Sequence, residues 1–147
     1  MKVYKFGGAS VKDAAGIRNV ASIISQCPDE LIVVVSAMGK TTNLLETLVK
    51  AHFNGWDETW EIFAEFSKSH LEIAAELFGP DRIPEAFHNM LAEVRKKLDL
   101  PPSLLYDFEY DQFICYGELF SSLIMSHYLE ATGQPNRWID IRLSLRT

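Results

Sequence analysis

Cysteine is scarce in this chain. Only Cys27 and Cys115 occur, neither with a metal-type partner at short spacing, which excludes a disulfide framework and favours a reduced, cytoplasmic setting. Positive charge is also short: 14 Lys and Arg stand against 20 Asp and Glu, a net charge of −6. The longest basic block, Arg95-Lys96-Lys97, reads as a solvated helix face, so no nucleic-acid partner and no anionic membrane surface are expected. No apolar run approaches the roughly 20 residues of a membrane span. No cationic and apolar leader precedes the first strand-like run, so no secretory signal is visible. His52, His70, His88 and His127 match neither a zinc helix nor a catalytic triad and read as packing or surface residues, and no metal site is assigned. A G-x-G-x-x-G after the first strand is lacking too, which argues against a dinucleotide-binding domain. Internal repeats, low-complexity stretches and a dividing linker are all absent.

What remains is a chain of 147 residues, 48% hydrophobic, of one-domain size and able to bury a core. Val3 to Phe6 reads as a strand, Ile17, Val20, Ala21 and Ile24 as the buried face of a helix, and Leu31 to Val35 as a buried-type strand. Together they predict a right-handed βαβ unit with the two strands parallel and adjacent. Ser10-Val11-Lys12-Asp13 fits a capping box for the first helix, and Asn43-Leu44-Leu45-Glu46 fits one for the next. From Trp56 to about Tyr128 the pattern is helical without a strand. Trp60 to Phe78 is closed by Gly79-Pro80, Phe87 to Leu98 by Pro101-Pro102, and Tyr116 to His127 near Gly133 to Pro135. Trp138 to Ile141 predicts a further strand in the same sheet.

Lys5-Phe6-Gly7-Gly8-Ala9-Ser10 places a lysine and two glycines where a strand gives way to a helix. Glycine N–H groups can approach an anion closely, a helix start adds its positive end, and Lys5 supplies a mobile charge. A plain strand-to-helix turn accounts for the same hexapeptide. A second strand end, Ser36-Ala37-Met38-Gly39-Lys40-Thr41-Thr42-Asn43, carries small and hydroxylated residues, and in a parallel sheet two such ends converge on one ligand. Gly39-Lys40-Thr41 is not a P-loop, since that motif needs a glycine where this chain has Val34. Glu118, within the apolar stretch Phe113 to Met125, reads as a half-buried carboxylate in need of a partner, either a ligand ammonium or Arg142 or Arg146.

Lys5 to Val11, Ser36 to Asn43, Tyr116-Gly117-Glu118-Leu119-Phe120-Ser121-Ser122 and Trp138 to Thr147 together resemble the N-terminal part of the aspartokinases, over the whole chain and in order. The resemblance implies a three-layer α/β/α amino acid kinase fold, present here as its N-terminal, amino acid binding part (residues 1–147) with a largely helical excursion. The nucleotide-binding half and regulatory ACT domains would lie outside the chain. It implies transfer of the ATP γ-phosphate to the β-carboxylate of L-aspartate, opening the route to lysine, methionine and threonine, with ATP and Mg²⁺ as cofactors and a homo-oligomeric full-length enzyme. By the same resemblance Glu118 receives the α-amino group of aspartate, and Ser36 and Thr42 present hydroxyls to it. Lys5, Gly7, Gly8 and Ser10 contact the transferring phosphoryl group, Lys5 being the catalytic charge. Ala9 stands where the family commonly has threonine. Glutamate or N-acetylglutamate kinases, or a non-catalytic amino acid binding module, are the competing readings. The chain alone is expected to be inactive.

Overall fold

The computed structural model describes residues 1–143. β1 (Lys2–Phe6), α1 (Ala14–Ser25) and β2 (Leu31–Val35) form the expected βαβ unit, with β1 and β2 parallel and in register from Lys2↔Leu31 to Phe6↔Val35. Side chains alternate across the pleat. Tyr4, Phe6, Val33 and Val35 turn toward the helices, while Val3, Lys5, Ile32 and Val34 stand exposed on the other face. The sheet is thus covered on one face, and the second helical layer of an α/β/α arrangement is not formed among the described residues.

Helices α2 (Thr41–Asn54), α3 (Thr59–Phe78), α4 (Glu85–Leu98), α5 (Tyr106–Ile114) and α6 (Tyr116–Ala131) follow. The aromatic stripes are core: Phe66, Phe87, Phe113, Tyr116 and Phe120 are fully buried, and Phe120 receives Phe66 and Phe87 edge-on at 5.3 and 5.1 Å. Gly79, at φ 89°, ends α3 just before Pro80.

Both predicted capping boxes are displaced. Ser10 lies in a 3₁₀ turn, Gly8–Ser10, where its N–H donates to the Gly7 carbonyl at 2.9 Å, and the cap of α1 is Asp13, whose carboxylate accepts from Gly16 N–H at 2.8 Å. α2 begins at Thr41 rather than after Asn43, because Gly39, at φ 49°, reverses the chain and Thr41 N–H closes a turn on the Met38 carbonyl at 2.9 Å.

The predicted strand at Trp138 to Ile141 does not form. Residues 134–140 have no regular structure and Ile141–Leu143 is a 3₁₀ turn. The Asp140 carboxylate accepts from Arg142 N–H at 3.0 Å and its carbonyl from Leu143 N–H at 3.1 Å, so local turn bonds take the groups a sheet ladder would need. Trp138 instead docks on α6, donating from Nε1 to Ser122 Oγ at 2.9 Å.

Candidate active site

The two strand ends are tied by their own backbone. Ser36 N–H donates to the Phe6 carbonyl at 3.0 Å, extending the ladder one residue past β2, and Gly39 N–H donates to the Gly8 carbonyl at 3.1 Å. Between these bonds the loops press together: a Cβ on Gly8 would stand 2.5 Å from the Ala37 carbonyl oxygen. Glycine is a steric requirement there. At Gly7 a Cβ would meet nothing within 4 Å, so the fold does not demand glycine at that position.

The third segment arrives by another close approach. Gly117 lies in the first turn of α6, where a Cβ would fall 2.8 Å from the Ala37 Cβ. This lets α6 abut the loop after β2 and sets Glu118 beside it. Glu118 Oε1 accepts a long hydrogen bond, 3.4 Å, from Ala37 N–H. The carboxylate is exposed, not half buried as its apolar neighbours suggested: Tyr116, Gly117, Leu119, Phe120 and Ser121 form the buried side of α6 and Glu118 points off it. It has no pair with Arg142, which turns to Asp140, while Arg146 lies outside the described residues.

Around this junction Ser36 and Thr42 are half-buried, and among the described residues neither hydroxyl is taken by a protein partner. Thr42 belongs to the first turn of α2, a helix start without a side-chain cap. Lys5 is exposed on the open face of the sheet opposite Val34 and forms no ion pair among the described residues. Ser10 is exposed at the end of the 3₁₀ turn. The structure therefore brings Gly7, Gly8, Ser36, Thr42 and Glu118 to one end of the sheet, with Lys5 two residues before Gly7 on its open side.

Two residues that the motif reading passed over flank this end. Lys12 and Lys40 line a cleft of about 430 Å³ beside Gly39, walled by Asn43 and Thr47 of α2 and Ser69 of α3. Lys40 was visible within Gly-Lys-Thr but carries no weight once the P-loop spacing fails, and Lys12 was absorbed into a capping box. A larger cleft of about 830 Å³, between Trp60, Leu71, Ile83 and Arg95, shares no residue with the junction. Among the described residues no three His, Cys, Asp or Glu side chains gather as metal ligands. Around Gly7 and Gly8 the groups on offer, the Lys5 ammonium and backbone N–H groups, suit phosphate oxygens, and the single carboxylate of the junction, Glu118, does not make a Mg²⁺ cage.

The junction thus gathers a lysine near the end of one parallel strand with paired glycines after it, hydroxyls after the next strand and a carboxylate at a helix start. The sequence model of the amino acid kinase family matches residues 1–146, and the chain belongs to that family. Within it, the chain is 34% identical over 142 residues to aspartokinase 2, chloroplastic, of Arabidopsis thaliana, covering 94% of this chain and 26% of that protein. Against lysine-sensitive aspartokinase 3 of Escherichia coli the identity is 28% over 145 residues, covering 99% of this chain and 32% of that one. The crystal structure of E. coli aspartokinase III in complex with aspartate and ADP superposes with a TM-score of 0.82 at 27% identity, over 97% of this chain and 31% of that one. The chain thus spans about a third or less of the length of these relatives.

Proposed function

We propose that this chain supplies the amino acid binding side of an aspartokinase and acts with a nucleotide-binding half that its 147 residues do not contain. The convergence of Gly8, Gly117 and Glu118 on Ala37 carries this reading, because it draws three sequence-distant segments into one site at the carboxyl ends of parallel strands. In the reaction an oxygen of the aspartate β-carboxylate attacks the γ-phosphorus of ATP. A new P–O bond forms as the bond to the ADP oxygen breaks, giving 4-phospho-L-aspartate and ADP. The attacking carboxylate is already ionised at neutral pH, so no general base is required. Catalysis then rests on alignment and on charge neutralisation at the phosphate oxygens.

The residues divide accordingly. Glu118 receives the substrate ammonium group, and its exposure leaves that carboxylate free for a ligand. Ser36 and Thr42 donate hydroxyl hydrogen bonds to the substrate without adding charge. Lys5, with the Gly7 and Gly8 backbone and Ser10 beside them, draws the phosphoryl oxygens. Mg²⁺ would come bound to ATP and neutralise further phosphate charge. Cytoplasmic location and a homo-oligomeric full-length enzyme belong to the same reading.

The test is trapping of the acyl phosphate with hydroxylamine, using the full-length protein, Mg-ATP and either L-aspartate or L-glutamate. Hydroxamate with aspartate and little with glutamate is expected. Equal yields, or glutamate preferred, would overturn the substrate assignment.

A further inference from the structure

The segment after α6 returns along that helix in a regular step. Asn136 meets Ser126, its Nδ2 donating to the Ser126 carbonyl at 3.0 Å while Ser126 Oγ donates to Asn136 Oδ1 at 2.6 Å. Two residues on, Trp138 meets Ser122 at 2.9 Å. Ser126 and Ser122 are one helical turn apart, so two residues of extended chain keep pace with each turn of α6. The next turn toward the N-terminus carries Glu118. There the segment is fastened by Arg142, whose guanidinium grips the Asp140 carboxylate through Nη2 at 2.7 Å and Nε at 3.0 Å. That carboxylate is largely buried, with 9% of its side chain exposed. The same guanidinium lies over the Tyr116 ring at 5.5 Å and reaches Cys115 Sγ at 3.8 Å. Tyr116 is fully buried and donates its hydroxyl to Glu93 of α4. Arg142 therefore clamps the two residues that lead into Gly117-Glu118.

We propose that residues 134–142 form a strap along α6, and that Arg142 is a positioning residue that aims Glu118 at its ligand. The geometry calls for a strap because little else fixes Glu118: among the described residues its side chain has one hydrogen bond, the long one from Ala37 N–H, and it is exposed. A guanidinium suits this task better than an ammonium group, since its planar fork holds Asp140 and lies over an aromatic ring together. The strap's role in aspartate binding rests on the function proposed above, whereas its hold on the first turn of α6 does not.

The experiment uses the full-length protein with Arg142→Ala, Arg142→Lys and Asp140→Asn, each also combined with Glu118→Ala. Two readouts are taken: the KM values for aspartate and ATP, and amide hydrogen exchange at residues 119–121. Arg142→Ala and Asp140→Asn are expected to speed exchange there severalfold, with α3 unchanged, and to raise the aspartate KM about tenfold while the ATP KM stays within about twofold. Arg142→Lys should fall between. In the Glu118→Ala background, Arg142→Ala should add nothing further, because the carboxylate it aims is gone. Unchanged exchange at 119–121, a KM effect that persists without Glu118, or equal effects on both substrates would overturn the proposal. If the parent protein does not turn over aspartate, the function falls, and exchange alone still decides the strap.

Discussion

Gly8 and Ala37 meet backbone to backbone, so closely that a Cβ on Gly8 would stand 2.5 Å from the Ala37 carbonyl oxygen. Gly117 meets the same residue through its side chain, at 2.8 Å from the Ala37 Cβ. The two contacts respond differently to one change. Gly8→Ala and Gly117→Ala should each cost about 1–3 kcal/mol, the usual penalty for overpacking. Adding Ala37→Gly should relieve Gly117→Ala, whose clash is with a methyl group, and leave Gly8→Ala unrelieved, whose clash is with a carbonyl. Urea unfolding of the four variants reads this, and relief of both, or of neither, would contradict the geometry.

Gly7 offers the complementary case. A Cβ there meets nothing within 4 Å and the backbone, at φ −75° and ψ 166°, is one any residue adopts. Gly7→Ala should leave stability within about 0.5 kcal/mol, as for an unencumbered surface change. Turnover in the full-length protein should nonetheless fall by about tenfold or more, because the proposed site has phosphate oxygens approach through that open space. Unaltered turnover would remove Gly7 from the phosphate site.

His70 predicts a pH dependence. It is fully buried, Nδ1–H donates to the Phe66 carbonyl at 2.9 Å, and Nε2 has no partner among the described residues. Burial holds its folded-state pKa below the ordinary 6.5, outweighing the Phe66 bond, which acts the other way. The unfolded chain therefore takes up the proton first as pH falls. Stability should be flat for this group above about pH 6.5 and decline below it, down to the depressed pKa. His52, also lowered by burial and partly offset by Glu109, adds a decline of the same sign. His70→Leu should flatten the slope measured by denaturant titrations between pH 7 and pH 5. An undiminished slope would place the buried proton uptake elsewhere.

Much of this architecture was legible because local signals agreed with one another. The βαβ unit, α3 and α4 carry clear periodicity and end at Gly79-Pro80 or before Pro101-Pro102. α5 was not read, since Asp107, Glu109 and Asp111 interrupt its apolar pattern. Its one buried carboxylate, Glu109, is satisfied from the turn just before the helix, by the Ser103 N–H at 2.7 Å. The Trp138 strand was misread because alternation of apolar residues does not say whether a neighbouring strand is present to receive it. For Glu118 the sequence neighbours were informative about burial of the helix, but one helical position rotates a side chain by about 100°, enough to carry it from core to solvent. The strap's course along α6 was not legible, since its register is set by partners 10 and 16 residues back in the chain, Ser126 and Ser122.

Val3, Ile32 and Val34 stand 63%, 47% and 45% exposed on the uncovered sheet face. Such a contiguous apolar surface invites association. The 147 residues expressed by themselves should therefore self-associate, and replacing all three with threonine should shift the species toward monomer in size-exclusion chromatography with light scattering. A monomer from the unaltered chain would indicate that this face needs no cover.

The proposed site divides its labour, Glu118 holding the amino acid and Lys5 serving the phosphoryl group. Steady-state kinetics of Glu118→Ala and Lys5→Ala in the full-length protein, followed by ADP release, tests it most directly. Glu118→Ala should raise the aspartate KM about ten- to a hundredfold with the ATP KM little changed, the loss of a hydrogen bond to a charged group. Lys5→Ala should lower kcat by about a hundredfold or more and leave the aspartate KM close to that of the parent. Equal effects of either variant on both substrates, or a Lys5→Ala enzyme within tenfold of the parent, would contradict the account.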